Sequence, residues 1–250
     1  TMYSHGIATI ALSEAYAMTG DRQLFEPVQR AAGFIQRARN TNVGGWRYDP
    51  GQPGDTSVLG WQVMALKSAS NAGVDVSGEA FDAARAWLDR VSERSRPGLY
   101  AYQPGHRPKP SMTAEGMFAQ LLLGLRPDHR RMRDSVDFIL QHLPHWESDA
   151  STYFWYYASL ALFQHQGKEW ETWNKALTEE LTKHQRKDGR AAGSWDPVDE
   201  WSKIGGRIYQ TALCTLMLEV YYRYLPLYFI DPATASARPD LDGEPSPIGT

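Results

Sequence analysis

The stretch Gly44-Gly-Trp-Arg-Tyr-Asp-Pro-Gly51 runs through Gly54-Asp-Thr-Ser57 into Val58-Leu-Gly-Trp-Gln-Val-Met-Ala-Leu66. Its first part is rich in Gly and Pro, which punctuate turns, and reads as a loop. Its second part is apolar nearly all round at helical spacing, so it reads as a helix enclosed by other elements. Both parts recur. The loop returns 54 residues on as Tyr100-Ala-Tyr-Gln-Pro-Gly105, and more weakly as Gly193-Ser-Trp-Asp-Pro197. Further all-round apolar stretches lie at Gly6–Leu12, Gly116–Leu123, Phe154–Leu162 and Ala212–Leu218. Leu12, Leu66, Leu122, Leu162 and Leu218 take matching places in these five segments. Helices repeating at such a period imply a solenoid or a closed ring.

Between the enclosed segments lie helices with one apolar stripe. Leu24, Val28, Ala31, Ile35 and Ala38 recur at steps of four and three. The same pattern joins Phe81, Ala84, Leu88 and Val91, and again Met132, Val136, Ile139 and Leu143. Such helices bury one side and show the other to water. The alternation predicts two concentric layers, with nine helices forming four hairpins and one unpaired helix. It predicts one all-α domain over residues 1–230. Residues 231–250 turn to Pro, Ala, Ser, Gly and acids, and read as a flexible tail. The helical pattern begins almost at Thr1, as expected of a fragment or a processed product. The compartment, cytoplasmic or exported, is left open.

Composition narrows the function classes. The chain of 250 residues carries 26 Lys and Arg against 29 Asp and Glu, a net charge of −3, which argues against a nucleic-acid partner. The 30 aromatics include nine Trp, enough for a sizeable core. The single cysteine, Cys214, excludes an intrachain disulfide or a multi-cysteine metal site, and its apolar surroundings make it a core residue. No stretch reaches the roughly 18 apolar residues of a transmembrane helix.

The chain resembles the α/α-toroid superfamily of squalene cyclases and protein prenyltransferase β subunits. Gly44–Tyr48, Gly54–Ser57 and the Trp61–Leu66 helix carry the resemblance, with Gln185, Gly193 and Trp195, and with Gly205-Gly-Arg-Ile-Tyr-Gln-Thr211 before an apolar helix. It covers roughly residues 2–228 and is nearest to bacterial prenyltransferase or squalene-cyclase repeat proteins. It implies inner helices within a ring of outer ones, and a central cavity opening where the inner helices begin. A full ring of this kind has about six hairpins, so an incomplete or open ring is expected.

The chemistry that the resemblance implies finds few residues. The Asp-x-Asp-Asp of cyclases is absent, and Asp240-Leu-Asp242 lies in the tail. Asp55 sits at a helix start, where a carboxylate caps backbone N–H groups. The zinc-binding His of prenyltransferases falls on Gln210, and Ser57 stands where a thiolate is needed. Neither a metal nor another cofactor is expected.

A possible pocket remains. The inner-helix starts and their loops gather Tyr3, His5, Asp55, Glu115, Trp155, Arg207 and Tyr209 with Trp46, Tyr48 and Tyr102. Trp61 and Tyr156 follow within the helices. Aromatic faces with a few charges suit a small-molecule site. Each also has a plainer reading: Trp46 and Trp195 as wedges, Trp61, Tyr156 and Tyr157 as core, His5 as a hydrogen-bonded imidazole. Arg207 is expected either to pair with Asp55 or Glu115 or to bind an anion. Three functions stay open. The first is a binding module for an apolar or isoprenoid-like ligand. The second is a structural module contacting another protein. The third is a carbohydrate-active toroid, glycosidase or lyase, using Asp55 and Glu115 as its facing carboxylates. Asp55 wholly engaged as a cap would count against the third.

Overall fold

The computed structural model describes residues 1–223, so the expected tail and the end of the domain lie outside the described residues. Nine helices of 11 to 19 residues follow one another among them. The inner set is α1 (Met2–Thr19), α3 (Thr56–Asn71), α5 (Pro110–Leu122), α7 (Thr152–His165) and α9 (Glu200–Leu218). The outer set is α2 (Arg22–Ala38), α4 (Gly78–Val91), α6 (Arg130–Leu140) and α8 (Gly167–His184). A four-residue α10 (Val220–Arg223) follows.

Packing follows the sequence pattern. Each inner helix packs on the next, α1 on α3, then α5, α7 and α9, and each outer helix packs on the inner helix before it. The architecture is the expected α/α toroid. The middle helices are enclosed on all sides: in α7, twelve of fourteen residues are buried. The outer helices bury stripes, such as Val28, Ala32, Ile35 and Ala38 in α2. Two stripe positions differ from the sequence reading. Ala32 takes the fully buried place in α2, with Ala31 half-buried beside it. Leu143 is exposed because α6 stops at Leu140, three residues short.

The row of inner helices does not return on itself through any principal contact among the described residues. Its two ends show apolar side chains to water: Ile7 and Met18 on α1, and Trp201, Ile204 and Ile208 on α9. Among the described residues, the arc is therefore open between α1 and α9.

The repeated loops hold the two layers together. Gly44 and Gly45 both adopt the left-handed conformation, with φ of 81° and 71°, which suits residues without a Cβ. The turn delivers Trp46 into the wall, where its indole N–H donates to the carbonyl of Ile35 at 2.7 Å. Trp195 repeats the device on α8, donating to Leu181 at 2.8 Å. Tyr100, one repeat after Trp46, is buried as fully, and burial pushes its phenol up to about 12. The repeat length also appears in contacts. Tyr3 bonds Ser57, and Tyr48 bonds Tyr102, each pair 54 residues apart.

Candidate functional site

The site forms at the rim where α1, α3, α5 and α7 begin. Asp55 is the N-cap of α3 and is fully buried. Its Oδ1 accepts the backbone N–H of Val58 at 2.9 Å and the Ser57 hydroxyl at 2.8 Å. Capping uses that oxygen alone. Oδ2 accepts the Tyr102 hydroxyl at 2.9 Å and lies 3.8 Å from Nε of Arg47. Asp55 is therefore a cap on one side and a site carboxylate on the other.

Glu115 lies one turn into α5 and is also fully buried. Its carboxyl rests on Gly60 of α3, close enough that a Cβ built on Gly60 would fall 2.1 Å from Oε1. That glycine inside an enclosed helix makes room for the acid. Burial, with the nearby Asp55 charge adding to it, holds Glu115 well above the usual carboxylate range.

Proton counting fixes the direction of the network. The Tyr153 hydroxyl lies 3.1 Å from both the Ser57 carbonyl and Glu115 Oε2. A phenol has one proton and cannot donate to both. The Tyr153 hydroxyl therefore gives its one proton either to Glu115 Oε2 or to the Ser57 carbonyl at any moment. Ser57 gives its proton to Asp55, so Tyr3 donates to Ser57 across 2.5 Å. Tyr102 gives its proton to Asp55, so Tyr48 donates to Tyr102 across 2.8 Å. Burial pushes Tyr3, Tyr102 and Tyr153 above the ordinary phenol value, so each keeps the proton that this scheme needs. Two donor chains thus end on Asp55, while the Tyr153 hydroxyl reaches Glu115.

Of the residues named from sequence, Tyr3, Tyr48, Asp55, Tyr102 and Glu115 come together here. Trp46 is in the wall, as the wedge reading expects. Trp61, Trp155 and Tyr156 are enclosed: Trp61 stacks on Tyr156 at 5.7 Å, and Trp155 packs on Trp146. Trp146 in turn stacks on His184 of α8, between the inner and outer layers. His5 bonds the Ala31 carbonyl at 3.0 Å and packs on Phe34, away from the carboxyls. Arg207 pairs with neither Asp55 nor Glu115. It sits on α9 at the far end of the arc and is held by Asp196 and Ser194 of the preceding loop. Tyr209 is half-buried on the same helix.

Where the prenyltransferase resemblance would place a zinc ligand, Gln210 instead donates to the sulfur of Cys214 at 3.4 Å. Burial pushes that thiol up to about 12, which makes it an inert core residue. No helix among the described residues is long and apolar enough to cross a membrane.

Sequence reasoning missed two parts of the site: Ser57 bridges both carboxyl networks, and Gly60 makes the space. Tyr153, which carries the Glu115 link, is an inner-helix-start residue that the sequence groups with Phe154 and Trp155. The signal for Gly60 was present, since a glycine inside an apolar helix marks a close approach. No comparable signal distinguished Tyr153 from its aromatic neighbours.

No protein-family model matches the chain, and no curated protein matches it in sequence. Solved structures do match. Two are inactive variants of the α-1,6-mannanase GH76A of Salegentibacter sp. HEL1_6, one in complex with α-1,6-mannotriose and one with α-1,6-mannotetrose. They are 15% and 16% identical to this chain, with TM-scores of 0.58 and 0.60. Each match covers 88% of this chain and 74% of the mannanase chain. Both variants are altered at two consecutive aspartates, and this chain contains no Asp-Asp pair. At this identity the likeness establishes the α/α-toroid fold and leaves the chemistry to the chain's own residues.

Proposed function

We propose that the chain is a carbohydrate-active toroid that binds an oligosaccharide at the α1–α7 rim and hydrolyses a glycosidic bond there. One observation carries the reading. Two buried carboxyl groups share one network in contrasting surroundings: burial raises Glu115 well above the usual carboxylate range, while Asp55 accepts three hydrogen bonds. Glycoside hydrolysis needs such a pair, an acid for the leaving oxygen and a carboxylate opposite it. The oligosaccharide complexes of the mannanase neighbours support the same class of ligand. Above the pair, Tyr48 is 40% exposed and Tyr102 half-buried, giving aromatic faces on which sugar rings stack.

In this reading Glu115 supplies the proton, and Asp55 orients or activates the attacking group. The Tyr48–Tyr102 pair covers Asp55 and must part as a sugar enters. An apolar or isoprenoid-like ligand has less support, because the aromatic rings of the inner surface already pack on one another.

The test is reducing-end release from a panel of α- and β-linked oligosaccharides, α-1,6-mannotetraose included. Turnover that is lost in both Asp55→Asn and Glu115→Gln is the expected result. Absence of both binding and turnover across the panel would overturn the reading.

A second reading rests on the apolar end of α9, where Ile204 and Ile208 are 79% and 86% exposed. Such a face suits contact with another protein. Ile204→Lys with Ile208→Lys should abolish any self-association or partner binding seen by light scattering. A monomeric wild-type chain with no partner removes this reading.

A further inference from the structure

We propose that Arg47 is the subsite for the carboxylate of an acidic sugar, so that the preferred oligosaccharide contains uronic acid. This inference rests on the carbohydrate reading above and narrows it.

Arg47 sits in the rim loop directly beside Asp55. Its guanidinium carbon lies 5.3 Å from the centre of the Tyr48 ring and 6.0 Å from that of Tyr102. The two phenols hold the cation in place by its face, which leaves its edge for ligands. Asp55 does not use that edge. The separation of 3.8 Å is beyond hydrogen-bond length, and Asp55 already accepts from Val58, Ser57 and Tyr102. None of the Arg47 N–H groups has a hydrogen-bond partner among the described residues. Arg207, at the opposite end of the arc, shows the contrast, with its donors on Asp196 and Ser194.

Arg47 is also reachable, with 31% of its side chain exposed. A planar guanidinium with free donors matches a carboxylate through two parallel hydrogen bonds. The flanking tyrosines offer a pyranose ring an apolar face at the same place. The charge of the neighbouring loop has the same sign. His106 stacks on Tyr102 at 6.1 Å, and Arg107 and Lys109 are exposed with no ion-pair partner among the described residues. A neutral sugar would leave the free edge of Arg47 unanswered. A phosphorylated sugar would offer the same anion chemistry, so the test includes it.

The experiment is calorimetric binding by the whole chain at low salt. The probes are tetrasaccharides of galacturonate, mannuronate and glucuronate, their methyl esters, α-1,6-mannotetraose, and a mannose-6-phosphate-terminated oligosaccharide. At least one acid should bind ten-fold or more tighter than its own ester, and that ratio should fall towards one in Arg47→Gln. Arg47→Lys should restore part of it. The preference should weaken as salt rises. If mannotetraose binds but no acid is preferred over its ester, Arg47 is not a uronate subsite, while the carbohydrate reading stands. If Arg47→Gln keeps the full ratio, the assignment to Arg47 falls. If the phosphorylated probe binds tightest, the carboxylate identity falls. If no sugar binds at all, the carbohydrate reading falls with it.

Discussion

Asp55 and Asp199 hold the same structural post at two places on the rim. Asp55 caps α3 and Asp199 caps the first turns of α9, which Gly206 breaks from the rest of that helix; each is buried, and each takes a backbone N–H three residues on. Their remaining oxygens differ. Asp199 Oδ2 accepts the backbone N–H and the hydroxyl of Thr152, at 2.7 and 2.6 Å, and Ser202 completes a reciprocal capping box. Burial pushes Asp199 up, but the bonds from Thr152 and Ser202 outweigh it and hold its carboxyl below the usual range. Every partner there is a backbone or hydroxyl donor at the start of an inner helix, α7 or α9. Asp55 Oδ2 instead takes a phenol that leads through Tyr48 to the surface, with a cation beside it. Capping is thus common to both rims. A route from the carboxylate to solvent belongs to the α3–α5 rim.

The sharpest way to break this contrast is to substitute both aspartates in parallel. Asp55→Asn should lower hydrolysis by about 10²–10⁴, the usual contribution of a positioned acid–base group. Its stability should fall by about 1–2 kcal/mol, because Asn still caps Val58 but its NH2 group cannot accept the Tyr102 hydroxyl. Asp199→Asn should keep turnover within about threefold. It should cost about 1–2 kcal/mol of stability, since an amide cannot accept every bond that the carboxylate accepts. Equal loss of turnover in both variants, measured alongside thermal unfolding, would erase the distinction between the rims.

Glu115 offers the next test. Its pKa in the folded protein lies above its unfolded value, so the folded chain holds a proton that the unfolded chain releases. That stabilisation is complete below about pH 4.3, the ordinary glutamate value. It is lost as pH rises towards the folded pKa, at about 1.4 kcal/mol per pH unit. Glu115→Gln keeps a hydrogen-bond partner for Tyr153 and removes the titration. The wild type should therefore lose stability relative to the variant as pH is raised from about 4 through neutrality. Parallel denaturation curves at all pH values would mean that Glu115 is not held protonated.

Gly60→Ala probes the space beneath that carboxyl. The new methyl group would meet Glu115 rather than solvent. About 1–3 kcal/mol of destabilisation is expected, as for other overpacked interiors. Gly60→Ala combined with Glu115→Ala should recover part of it. Failure to recover any would show that the close approach is not what fixes a glycine here.

How far the sequence reveals this arrangement depends on what repeats. Trp46, Tyr100 and Trp195 were legible because each closes the same loop motif and meets the same packing. Asp55 and Glu115 were legible as acids at inner-helix starts. Their contrasting surroundings were not, because these depend on Gly60, Ser57 and Tyr153, which belong to different helices. The fate of Arg207 was equally hidden. Sequence places it at an inner-helix start, but not α9 at the far end of the arc from α3. Nor could periodicity tell which rings line a mouth and which fill an interior, since Tyr48 and Trp61 carry the same apolar signal.

The two wedges give the smallest effect and bound all the others. Trp46 and Trp195 each donate an indole N–H to a carbonyl near the end of an outer helix. Each is almost wholly buried. Replacing either by Phe keeps most of the apolar volume and leaves one carbonyl without its donor. About 1–3 kcal/mol should be lost in each case, most simply about 1, because the carbonyl also serves its own helix or water. Chemical denaturation measures both. Equal losses would show that the two rims are built alike as scaffold, and that only the carboxylates and their phenols set them apart. A much larger loss at Trp46 would mean that the α3–α5 rim is also braced differently. Differences in turnover between the Asp55 and Asp199 variants would then have to be separated from the stability of the loop that carries Arg47 and Tyr48.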